Sequence, residues 1–170
     1  MLFNQEKTGT EFFREQVERV QPILEKENTG KTVAFFAVSS DGTITVRKPN
    51  DYVSSMIDLA GVYIPERISG GRGQRTSTLK MQMEDFYVAE KDADILIYNG
   101  TIEGELNSVD ELIAKNSLFA DFKAVQSGDV YTTGSNFYQE TSATCDFIED
   151  LNKILTDSSD TDYRFIRKLQ

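Results

Sequence analysis

The first periodic segment is helical. Phe13, Val17, Val20 and Leu24 recur at i, i+4, i+7 and i+11, which puts them on one helix face. Thr10 is placed to cap the start, Pro22 to kink or end the helix, and Gly30 to stop it. Thr32 to Val38 then forms a continuous apolar run, without alternation. That is the pattern of a strand covered on both faces, as in a parallel sheet between helices. Asp41-Gly42 marks a turn, and Thr43 to Val46 reads as a second short strand, either a hairpin partner or an extension. Pro49-Asn50-Asp51 opens a helix with Val53, Met56, Ile57 and Ala60 on one face, ended by Gly61.

Val62 to Pro65 is a short extended piece, and residues 69–78 have loop composition. Lys80 to Glu90 reads as a helix with Met83, Phe86 and Tyr87 inward. Ile95 to Tyr98 is another buried strand. Ser108-Val109-Asp110-Glu111 is a capping box ahead of Leu112 and Ile113. A strand follows at Val130 to Thr133, and a last helix spans Glu140 to Thr156 with Cys145, Ile148, Leu151 and Leu155 on its stripe. Strands thus alternate with helices. The expected class is α/β, a three-layer sandwich in which a mainly parallel sheet is flanked by helices.

Length and composition narrow the chemistry. The 170 residues suit one domain, and no apolar run of about 18 residues exists to cross a membrane. The residues from Met1 to Lys7 lack the basic and apolar regions of a signal peptide. The chain has no His and one Cys, so a Ser-His-Asp triad, a Cys-His dyad, a thiolate cage and an internal disulfide are excluded. A net charge of −10 argues against nucleic acid. The charge is uneven: residues 1–85 carry 11 basic and 12 acidic groups, residues 86–170 carry 7 and 16. Arg67, Arg72, Arg75 and Lys80 lie in a stretch without acids, a candidate anion-facing patch.

Several local motifs fail. Gly70-Gly71-Arg72-Gly73 fits neither phosphate-binding glycine pattern. Asp157 to Lys168 lacks the Gly and Glu that a calcium loop needs at its sixth and twelfth positions. Asn99-Gly100-Thr101 is a formal glycosylation triplet without weight. Glu103 and Glu105 are the carboxylates that an enzyme acting on an anionic small molecule would use, in a small α/β enzyme or interaction domain. No catalytic constellation, metal site or cofactor is otherwise indicated.

An ordered set of stretches carries a resemblance. It runs through Glu84-Asp85-Phe86-Tyr87, Asp92-Ala93-Asp94-Ile95-Leu96-Ile97-Tyr98, and Val109-Asp110-Glu111-Leu112. It continues through Asn116 to Val125, Gly128-Asp129-Val130-Tyr131 and Phe147-Ile148-Glu149-Asp150-Leu151. Over roughly residues 77–156 these resemble the C-terminal lobe of the substrate-binding proteins of ABC importers for iron–siderophore, haem and cobalamin. The resemblance implies a Rossmann-like lobe at 31–170, preceded at 1–30 by the end of the helix that links two lobes. A first lobe, an export signal and a lipid-bearing Cys are then absent from this chain. It is read as a truncated form rather than a naturally reduced protein, because Met1 to Thr8 looks like an arbitrary start. The implied location is extracytoplasmic, by lipid anchorage of the full-length protein.

The resemblance also implies roles. A ferric siderophore, haem or cobalamin would sit at the loops Ser39–Asn50, Asn99–Asn107 and Gly134–Gln139, which leave the carboxyl ends of the strands. Arg47, Tyr52, Phe137 and Tyr138 are the expected ligand contacts, with Arg72 and Arg75 as further ones. The basic stretch leans towards an anionic ferric chelate. Glu84, with Asp85 beside it, is the expected contact to Arg residues of an ABC permease.

Overall fold

The computed structural model describes residues 6–49, 51–61, 77–137 and 141–170. The extended piece expected at 62–65 and most of the loop expected at 69–78 lie outside them. Six strands form one sheet: β1 (Val33–Val38), β2 (Ile44–Arg47), β3 (Thr78–Met81), β4 (Ile95–Tyr98), β5 (Val130–Thr133) and β6 (Ile166–Lys168), in the order β3-β2-β1-β4-β5-β6. β4 runs parallel to both β1 and β5. β2 and β3 on one side and β6 on the other are antiparallel additions. The sheet is therefore parallel at its centre and antiparallel at both edges.

The burial pattern follows from this order. All four residues of β4 and all four of β5 are buried, as are five of the six in β1. One layer holds α1 (Glu6–Leu24), α2 (Tyr52–Leu59) and α7 (Thr144–Leu155), and packs on Val33, Phe35, Ile95, Ile97 and Tyr131. The other holds α3 (Met83–Glu90), α5 (Val109–Lys115) and α6 (Lys123–Ser127), and packs on Ala34, Phe36, Leu96, Tyr98 and Val130. A short α4 (Gly100–Glu103) follows β4. The second layer is aromatic: Phe36 stacks on Phe119 at 5.4 Å between ring centres, and Phe86 on Phe122 at 5.7 Å.

Carboxylates fasten the connections. Ser108 Oγ accepts from the Glu111 N–H at 3.3 Å, and the Glu111 carboxylate accepts from the Asn107 N–H at 2.8 Å, so the capping box forms with its return bond one residue early. The buried Asp150 carboxylate accepts from the N–H groups of Arg164 and Phe165 at 3.0 and 2.8 Å. This holds the tail so that Phe165 and Ile166 enter the core. Burial pushes the Asp150 pKa up, against the pull of those two donors. Asp94 accepts from the Thr32 N–H at 2.8 Å and from Lys123, tying the start of β1 to β4.

Three expectations change. The α1 stripe is not a core face: Val20 is buried, but Phe13 is 69% exposed, and Val17 and Leu24 are also exposed. The face that meets α7 is rotated from the stripe. It uses Val20 and Ile23, the Cys145 thiol bonded to the Gln16 carbonyl, and Arg19 paired with Asp146 and Glu149. Thr10 is interior to α1 rather than its cap, since the helix already runs at Glu6. The helix expected from Lys80 begins at Met83, and the residues before it form β3. β3 and β6 are short edge strands whose only strand signal is their pairing with β2 and β5.

Two stability outcomes follow. Phe36→Ala empties the centre of the aromatic layer and is expected to cost about 3–5 kcal/mol by urea denaturation. Asp94 is a pH-dependent tie. Burial opposes its ionisation, but hydrogen bonds from Lys123 and Thr32 prevail and hold its pKa below the ordinary 3.8. Its stabilisation is therefore present above that value and lost as pH falls through the lowered one. Acid titration of Asp94→Asn should show a shallower loss of stability below pH 4 than the parent, and equal slopes would remove the tie.

Candidate functional site

β2 differs from the central strands in alternating. Ile44 and Val46 are buried, while Thr45 and Arg47 on the other face are only half-buried. That alternation places one face of β2 in the core and leaves the other only partly covered by the described residues. The partly covered face continues onto Phe35 and Ala37 of β1, where Ala37 is the register partner of Thr45. The result is an open depression of about 120 Å³ at the carboxyl ends of β1 and β4. Phe35 and Ala37 form its floor, and Ser39, Thr45, Thr78 and Asn99 give it a polar lining. Ile102 and Glu103 of α4 form the far rim. Such crevices outside strand carboxyl ends are where α/β sheets bind ligands. A pocket that encloses a drug-sized molecule measures roughly 300–1,000 Å³, so this is a surface for one side of a ligand.

The loops around the depression are fixed by their own hydrogen bonds. Asn99 Oδ1 accepts from the N–H and the hydroxyl of Thr101, at 3.3 and 2.7 Å, and caps α4. The Gly100 N–H donates to Thr133 Oγ1 at 3.1 Å, joining the loop after β4 to the loop after β5. A side chain at Gly100 would collide with the Thr133 carbonyl oxygen and the Glu105 backbone, so this approach requires glycine. Glu105 accepts from the Ser135 N–H at 3.0 Å. In the β1–β2 turn, Ser39 Oγ donates to Asp41 at 2.6 Å and the Thr43 N–H donates to the same oxygen at 3.0 Å. These bonds hold the Asp41 pKa down at about 2.

Of the residues singled out from sequence, Arg47 lines the depression and Tyr52, at the start of α2, lies beside Arg47. The Arg47 guanidinium lies 5.8 Å from the Tyr52 ring centre and 3.7 Å from the Asp51 carboxylate. Asp51 also caps α2 by accepting from the Val53 N–H. Phe137 is a correction. It is 8% exposed, stacked on Phe147 at 4.5 Å and edge-on to Phe35 and Phe165, so its ring is part of the core rather than the ligand surface. Tyr138, Arg72 and Arg75 lie outside the described residues. Glu84 and Asp85 are exposed in the first turn of α3. Among the described residues neither forms an ion pair. β3 leads into α3 at the same sheet edge as the depression, but α3 packs on the opposite face.

Glu103 and Glu105 do not act as a pair: one lines the rim and the other holds the Ser135 N–H. The loop Asn99–Asn107, expected at the ligand, brings Asn99, Ile102 and Glu103 to the depression. Asp51 was legible only as the cap after Pro49, not as a partner of Arg47. Among the described residues no group of three or more acidic or Cys side chains is placed to hold a metal ion, and no helix is long and apolar enough to cross a membrane.

Gly100→Ala is expected to cost about 1–3 kcal/mol in chemical denaturation, because the added methyl group separates the two loops. An unchanged midpoint would show that the loops can part without loss.

Comparisons with known proteins agree with this architecture. The family described as "Periplasmic binding protein" matches residues 2–137. No curated protein matches the chain. Among solved structures, an ABC-type Fe3+-hydroxamate transport system from Saccharomonospora viridis aligns with a TM-score of 0.71 at 15% identity, covering 90% of this chain and 51% of that one. A possible iron-binding (periplasmic solute-binding) protein from Staphylococcus epidermidis aligns at 0.63 with 22% identity, covering 92% and 57%. The triscatecholate siderophore binding protein of Bacillus subtilis, solved with ferri-bacillibactin, aligns at 0.62 with 15% identity, covering 90% and 53%. At these identities the likeness is one of fold, and the chain spans about half the length of the structures it matches. With the family match over more than half of its residues and this shared α/β architecture, the chain belongs to the periplasmic binding protein family.

Proposed function

We propose that this chain is the C-terminal lobe of an extracytoplasmic substrate-binding protein that captures a metal chelate and delivers it to an ABC permease. The observation that carries the reading is the depression at the carboxyl ends of β1 and β4, with Arg47 on its wall and the Tyr52 ring beside Arg47. It has the position of a ligand crevice and the size of half of one. A second lobe closing over it would supply the rest. In this reading α1 is the end of the interlobe helix, and its exposed Phe13 and Val17 are surface for the remainder of the receptor. Anchorage by a lipid outside this chain belongs to the same reading.

The chelate class is a ferric siderophore, with haem and cobalamin as the other members. Arg47 and Tyr52 are proposed to touch it, with Tyr138, Arg72 and Arg75 as further contacts. The protein performs no turnover: it binds, holds and releases. Glu84, exposed at the start of α3, is proposed as the permease contact, where a carboxylate meets an Arg of the partner.

Two experiments test this. Titration of the chain with ferric siderophores, haem and cobalamin should change the fluorescence of its seven Tyr, in a protein without Trp. Affinity is expected to be weak, because a lone lobe buries only one side of the ligand. Silence towards all three classes would remove the receptor reading. In the intact receptor, Glu84→Arg is expected to leave chelate affinity unchanged and to abolish most permease-dependent uptake. Normal uptake would take Glu84 off the docking face.

A further inference from the structure

We infer that Asp150 is a positioning residue for the far rim of the depression, acting through a strap formed by Arg164 and Phe165. The receptor reading above makes that rim a ligand surface, and the inference rests on it for that alone.

Asp150 lies in α7 and is 3% exposed. A carboxylate this deeply buried needs donors, and it takes two from successive residues of the tail. The N–H groups of Arg164 and Phe165 reach it at 3.0 and 2.8 Å. One turn earlier on α7, Asp146 accepts from the Arg164 guanidinium at 2.5 Å, and from Arg19 of α1 at the same distance. Arg164 is therefore held at both its main chain and its side chain. Phe165 beside it is buried in the core.

The opposite side of the strap carries the loop after β5. The Gly134 N–H donates to the Phe165 carbonyl at 3.1 Å, and Asn136 Nδ2 donates to the Arg164 carbonyl at 2.9 Å. Phe137 closes the contact, edge-on to Phe165 at 5.6 Å and stacked on Phe147 of α7. Each residue of the strap thus points its N–H at α7 and its carbonyl at the loop.

The loop in turn brackets α4. Thr133 Oγ1 takes the Gly100 N–H at the start of this helix, and the Ser135 N–H binds Glu105 just past its end. Between these two tethers stand Ile102 and Glu103, the far rim. A helix of four residues is too short to be stable by itself, and Ile102, at 74% exposure, gains no core packing. The place of the rim is set by the tethers, theirs by the loop, and that of the loop by the strap on Asp150.

The test is residue-resolved amide hydrogen exchange of the full chain by 15N NMR, which needs no ligand. Asp150→Asn keeps the side-chain shape but leaves one acceptor oxygen, so one N–H of the strap loses its partner. The Gly134 and Gly100 amides are expected to exchange roughly tenfold faster or more, while Leu96 at the centre of β4 changes less. Asp94→Asn, which removes a carboxylate tie unconnected to the strap, is the control and should leave the ratio of Gly134 to Leu96 exchange unchanged. Asn136→Ala cuts only the side-chain bond of the loop, at an exposed position. It should speed Gly134 exchange about threefold without speeding the Phe165 amide. Acceleration of Gly134, Gly100 and Leu96 by one common factor in Asp150→Asn would reduce Asp150 to a general stabiliser and overturn the inference. Unchanged exchange at Gly134 and Gly100 would overturn it as well, and so would an equal change of ratio in Asp94→Asn. If Asp150→Asn does not fold, Asn136→Ala decides, and unchanged Gly134 exchange there overturns the inference. None of these outcomes touches the receptor reading, which stands or falls on the chelate titration.

Discussion

Burial of β1, β4 and β5 on both faces is the constraint on which the rest depends. These strands are too apolar to face water on either side, so helices must cover the sheet above and below. Among the described residues the cover on the α1/α2/α7 side thins from Ala37 of β1 onto β2. Where it thins, β2 turns from continuous to alternating burial, and Thr45 and Arg47 are left beside Phe35 and Ala37. The crevice is therefore an edge effect of the core. It lies at the carboxyl ends because that is where the loops after β1 and β4 diverge.

The acidic composition has a structural use that a net charge hides. Asp51, Asp94, Asp150, Glu105 and Glu111 each accept from a backbone N–H at a helix start, a strand start or a connection. Carboxylates thus do the work of fixing loops in a chain whose single Cys allows no internal disulfide. Several of these ties converge on the crevice. Glu105 and Thr133 hold the loops after β4 and β5 together, and Asp51 holds Arg47.

The same economy separates the two carboxylates nearest the depression. Glu103 and Glu105 are close in sequence, but the structure gives them separate tasks. The crevice offers shape, hydroxyl groups and apolar rims, which suits recognition of a preformed ligand. The aromatic layer of Phe36, Phe86, Phe119 and Phe122 packs on the opposite face of the sheet from the depression.

Sequence by itself determined the central strands, the covering helices α2, α5 and α7 and the α/β class, because long apolar runs and caps are local signals. It also brought out Arg47 and Tyr52, which lie at a loop leaving the sheet. It could not determine β3 and β6, which are strands only by virtue of their neighbours, nor the exposure of the α1 stripe, whose periodicity shows a face without showing what covers it. It misplaced Phe137, because an aromatic in a binding-loop position and an aromatic in the core have the same local sequence. Only the tertiary structure decided that Phe137 packs inward on Phe147 and that Arg47 is neutralised by Asp51. Both outcomes depend on distances between side chains, and in a folded chain those are set by packing across elements.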